Sequence, residues 1–247
     1  MTEAGYDAVI ETHARPYILD IPSGGGELLI YGAEHTRDPS DPQIQDIRER
    51  WAEFHPSVAL VEGRMGFLPP FGVDPVERFG ESGAVYALAR AAQVPLYTWE
   101  LPLEREISAG LELQSRERVA LFFVLRPYFG QVRFGRPSDP ESSVESSRKK
   151  RTRWPGLEDS LADVAAIDAL WKQDFPALPD WRDTSDRERL PGYLGDIAAR
   201  LNARRDEHFA RTLIDLVGRG QRVFAVAGSS HPVRLEPALR GALRDGR

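Results

Sequence analysis

The chain has 247 residues, 41% hydrophobic and 28% charged, an ordinary soluble balance and ample length for a buried core. Its formal net charge of -6 gives the whole molecule no electrostatic reason to seek nucleic acid. It has no cysteine, which excludes a disulfide scaffold, a thiolate zinc site, an iron–sulfur cluster and a cysteine nucleophile, so any metal site must use His and carboxylates.

The N-terminal segment carries an early acidic residue and no apolar h-region, so no signal peptide is expected and a cytoplasmic location is the default. Ser23 to Gly26 is a turn signal, and Glu27 to Gly32 follows as an apolar run of strand length. Asp41-Pro42 reads as a helix start, with Ile44, Ile47, Trp51 and Phe54 at helical spacing and His55-Pro56 as the stop. Ser57 to Gly63 is a second buried strand, and a loop with Pro69 and Pro70 leads to a helix opening near Glu81. Val94 to Leu101 is the third strand. Arg116 to Leu125 reads as helical, and its most apolar stretch, Val119 to Leu125, is far too short to span a bilayer. Arg136 to Pro155 is rich in Ser, Pro and charge and reads as an exposed loop, its basic run (Arg148, Lys149, Lys150, Arg151, Arg153) solvated and balanced by Glu141 and Glu145. Glu158 to Trp171 and Gly195 to Val217 have helical apolar spacing, Gln221 to His231 is the fourth strand, and Pro237 to Leu243 is a closing helix.

Strands that are continuous apolar runs, alternating with helices, predict an α/β fold: a mainly parallel β-sheet flanked by helices, both sheet faces covered. A single domain is expected, its core at about 27–101 and 196–243, with a helical insertion at about 110–195 between the third and fourth core strands and an exposed loop near 136–155.

Each predicted strand ends in a residue able to do chemistry. The first leads into Glu34 and His35, the second ends at Glu62, the third near Glu100 and the fourth at His231. Ligands of open parallel sheets sit outside the carboxyl ends of the strands, so two His and two Glu are expected to share one crevice. Such a set suits a divalent metal held by His35, Glu62 and His231, or a metal-free acid/base cluster. Two of these junctions repeat a pattern, Gly-x-x-His, at Gly32 to His35 and Gly228 to His231, in a chain with only five His. A lone strand-end His is more often structural; two copies favour a site. Glu81, opening a helix, is either a general base or a residue suited to the helix dipole. Arg64 is a candidate for bidentate binding of a substrate anion. No P-loop, dinucleotide fingerprint or Gly-x-Ser-x-Gly elbow occurs.

The two Gly-x-x-His motifs, the run Val58 to Glu62, the segment Glu100 to Arg105 and the helix carrying Arg205, Asp206, Glu207 and His208 together resemble the TraB/TIKI (GumN-like) superfamily, which also takes in erythromycin-esterase-like and ChaN-like proteins. The resemblance spans roughly residues 28–101 and 201–243. It implies a hydrolase-like site of peptidase or esterase type, acting on a small molecule or peptide. Arg205 would be an anion or transition-state clamp, with Glu81 or Glu100 as general base and Arg64, His208 and Glu34 as substrate-binding candidates. The expected cofactor is a divalent metal (Mn, Co or Zn) in one version and none in the other. Neither nucleic acid nor membrane is an expected partner, and the oligomeric state is open. A non-catalytic ligand- or haem-binding, regulatory member of the same fold is the alternative, kept open because the last motif continues His231-Pro232 and the third strand reads Glu100-Leu101-Pro102.

Overall fold

Apolar runs without helical period become strands here, and the residues between them set where each strand stops. Our computed structural model describes residues 1, 5–6, 8–64, 72–132, 135–185 and 190–244; the expected loop at Pro69 and Pro70 lies outside them. Strand β1 is Tyr17–Pro22 and β2 is Glu27–Ala33. Helix α1, Pro42–Phe54, starts as its sequence predicts: Asp41 accepts from the Gln43 N–H with Pro at the first turn, and His55 closes it in the left-handed region, φ 48°. Strand β3, Val58–Val61, is followed by α2, Pro75–Phe79, and α3, Glu81–Ala92. Strand β4 is only Leu96–Thr98.

Helices α4 (Leu103–Leu111), α5 (Arg116–Val132), α6 (Pro140–Arg151) and α7 (Val164–Asp174) precede the long α8, Gly192–Gly218. Strand β5, Arg222–Gly228, and helix α9, Ser230–Arg244, follow.

The expected exposed loop at 136–155 is a correction: most of it is α6. Asp139 accepts from the Ser142 N–H, Pro140 occupies the first turn, and Val144 is fully buried. The basic run is therefore the last turn of a helix, where cations suit the dipole. Arg148 forks onto Glu145 at 2.6 and 2.7 Å, and Arg151 lies over Trp154.

The chain divides into two compact units, Met1–Leu101 with Arg205–Arg247, and Pro102–Arg204. The second is all helical, its core built from Ile107, the α5 run Val119 to Leu125, Tyr128, Phe129, Trp171 and Trp181. The first is α/β. Its five strands run in the order β1-β2-β5-β3-β4; β2, β5, β3 and β4 are mutually parallel and β1 is antiparallel to β2. Side chains alternate across it, as period two requires. Leu28, Ile30, Val58, Leu60, Val223 and Ala225 face the core shared with Phe209, Leu213, Leu235 and Leu239 of α8 and α9. Leu29, Tyr31, Ala59, Val61, Phe224 and Val226 face the core shared with Ile44, Trp51, Val85 and Ala89 of α1 and α3. No helix among the described residues is long and apolar enough to cross a membrane.

Candidate active site

Because β2, β5, β3 and β4 are parallel and adjacent, their carboxyl ends share one edge of the sheet. His35 leaves β2, Glu62 leaves β3, Trp99 and Glu100 leave β4, and His231 leaves β5 in the first turn of α9. Helix α8 supplies Arg205 and Asp206, both buried.

Arg205 is the hub. Its Nε and one terminal nitrogen grip Glu100, at 2.9 Å each, and the same nitrogen reaches Glu62 Oε1 at 3.1 Å. Its guanidinium lies 5.0 Å from the Trp99 ring centre, and that ring stacks on Phe209 and donates its N–H to the Val226 carbonyl. Burial works against the Arg205 cation; the two glutamates outweigh it and hold it more firmly protonated than usual. Glu62 Oε2 accepts the Gly228 N–H at 2.7 Å. Burial alone would push the Glu62 carboxyl up, but the His231 ring, Arg205, the His35 ring and the Gly228 N–H together bring it down to about 2. Glu62 is therefore an ionised carboxylate near neutral pH.

Two imidazoles flank it. His231 is buried, with Nδ1 2.5 Å from Asp206 Oδ1 and Nε2 3.8 Å from Glu62 Oε1. His35 is 54% exposed, with Nδ1 3.7 Å from Glu81 Oε2. Glu81 is buried at the start of α3, and its other oxygen accepts the Thr36 N–H at 2.5 Å.

The two Gly-x-x-His glycines work by close approach; neither has positive φ. A Cβ on Gly228 would sit 3.1 Å from His35 Nε2 and 3.7 Å from Glu62 Oε2, so His35 packs directly against the backbone that binds Glu62. A Cβ on Gly32 would meet Pro232 Cγ at 2.6 Å and the Tyr17 carbonyl at 2.8 Å. Pro232, which follows the second motif, is thus accommodated by the glycine of the first.

His35, Glu62, Glu100, Arg205 and His231 come together, and Glu81 joins them through His35. Glu100 is committed to the Arg205 fork and the Gly63 N–H, which leaves it no free edge to act as a base. Arg64 donates to the Leu101 carbonyl at 2.5 Å. Glu34 turns out to solvent 3.8 Å from Arg15, its backbone paired with Gln43. His208 is half-buried on α8, where its carbonyl takes the Thr212 hydroxyl.

Among the described residues, no group of three or more His, Asp or Glu is arranged to hold a metal ion. The donor chemistry agrees. Both Glu62 oxygens already accept hydrogen bonds, and the guanidinium of Arg205 lies between the two carboxylates, where it supplies the positive charge itself. The expected set of His35, Glu62 and His231 does not fit a divalent ion.

Sequence reasoning misses Asp206, Trp99 and Arg234. Arg205 has a readable signal: it interrupts the row Leu201, Phe209, Leu213, Val217, all buried and spaced by four or its multiple. No family model matches the chain, and neither a curated protein nor a solved structure is significantly similar to it.

Proposed function

We propose that the protein is a metal-independent, cytoplasmic hydrolase of small esters or amides that works by paired imidazole acid/base chemistry. The observation that carries this is the pair of histidines, each with Nδ1 toward a carboxylate and both beside the ionised Glu62. Glu62 is too weak a base for the role, because its carboxyl is held at about 2. His35 is the base: its ring is half exposed to solvent with Glu81 on its Nδ1 side, and it takes a proton from water as the oxygen attacks the substrate carbonyl. His231, protonated at Nε2, gives a proton to the leaving group. Arg205 acts indirectly by keeping Glu62 charged, and Glu62 stabilises positive charge on either ring. The resemblance to the TraB/TIKI superfamily supports hydrolysis as the reaction class.

The test is a panel of carboxylic esters, lactones and short peptides, assayed with and without a strong chelator. Turnover is expected to survive chelation and to fall about 10²–10⁴-fold in His35→Gln. Turnover that vanishes on chelation and returns with Mn, Co or Zn would overturn the reading.

A further inference from the structure

The His231 ring is enclosed on three sides. Trp99 meets it edge-on at 5.0 Å, Asp206 Oδ1 lies 2.5 Å from Nδ1, and Glu62 Oε1 lies 3.8 Å from Nε2. An ionised carboxylate only accepts, so the short Asp206 contact requires the proton on Nδ1. The Nε2 distance is too long for a hydrogen bond, so that atom is not committed to Glu62. Asp206 is itself fixed from the other side. Its Oδ2 lies 3.0 Å from Arg234 Nε, and this buried nitrogen has no aligned hydrogen-bond partner among the described residues, so charge rather than a directed bond holds the pair. Arg234 thereby occupies one Asp206 oxygen and leaves the other to the imidazole.

We infer that Asp206 is a positioning residue: it fixes His231 in the form protonated at Nδ1 and leaves Nε2 as the atom through which this ring gains and loses a proton. The His35–Glu81 pair, at 3.7 Å and half in water, is the looser counterpart. The structure thus separates one buried, closely held imidazole from one that is half exposed to solvent. The inference rests on the hydrolase reading for its effect on turnover, but not for the position of the proton.

The experiment is long-range ¹H–¹⁵N correlation NMR on the full chain labelled at histidine, with His231→Gln identifying the His231 signals. The expected wild-type result is a downfield Nδ1 proton on His231. In Asp206→Asn, which keeps the shape but can donate, the proton is expected to move to Nε2, and kcat to fall about 10³–10⁴-fold while KM changes little. A wild-type His231 protonated at Nε2 alone, or a folded Asp206→Asn protein that keeps its Nδ1 proton, would overturn the assignment. Should Asp206→Asn not fold, the wild-type spectrum decides by itself. If the proton moves as expected but no substrate of the panel is turned over, the hydrolase reading fails and the positioning role stands.

Discussion

Removing the Arg205 guanidinium would leave Glu62 and Glu100 facing each other with no cation between them. Breaking a buried charge network from one side costs about 3–5 kcal/mol, so Arg205→Met is expected to lower stability by that order in urea unfolding. Adding Glu62→Gln and Glu100→Gln should recover much of the loss, since no charge is then stranded; a triple variant as unstable as the single would refute this account. Arg205 entered the sequence reading only through the family resemblance; its place in an apolar row on α8 is a physical signal that points to it independently. Its neighbour Asp206 was not legible, because its partners His231 and Arg234 lie on α9, and nothing in the sequence says which face of α9 meets α8. Glu34 misled for a different reason. It adjoins His35, but successive residues leaving a strand point opposite ways.

The glycines offer a contrast between elements. Gly32→Ala puts a Cβ 2.8 Å from the Tyr17 carbonyl and 2.6 Å from the Pro232 ring, neither of which is the end of a flexible side chain. It should loosen the junction of β1, β2 and α9, costing about 1–3 kcal/mol or more in thermal unfolding. Gly228→Ala meets only the His35 ring closer than 3.4 Å, and that ring is the far end of a half-exposed side chain rather than backbone. We expect near-native stability there, with turnover reduced as severely as in His35→Gln; full activity in Gly228→Ala would show that the His35 position does not matter. Most elements were readable from period and caps, α1 most clearly through Asp41-Pro42. Helix α6 has the same signature, Asp139-Pro140, but its polar composition hid it, since Val144 alone is buried along it. Strand β1 alternates too weakly to stand out, and β4 has exposed side chains because it lies at the sheet edge.

For the molecule as a whole, acid is the condition that should expose the charge network. The Glu62 carboxyl sits at about 2, below its ordinary 4.5, so its contribution is complete above about pH 4.5 and is lost as the pH falls toward about 2. The size is on the order of 3 kcal/mol, readable as a fall in the urea midpoint that Glu62→Gln lacks. A wild-type midpoint that does not change across that window would contradict the buried pair. The fold class was legible because parallel strands read as continuous apolar runs. Strand order was not, because β2, β3 and β5 are equally apolar and any could be central. That order governs how the fold can be made. Strand β5 lies between β2 and β3, so a ribosome delivers both flanking strands more than a hundred residues before the strand that joins them. Until residues 222–228 emerge, β2 and β3 each present an unsatisfied edge that invites pairing with other chains. Such a chain depends on late, long-range closure, and its yield in a cell should hinge on chaperone protection during translation more than on the stability of the finished protein.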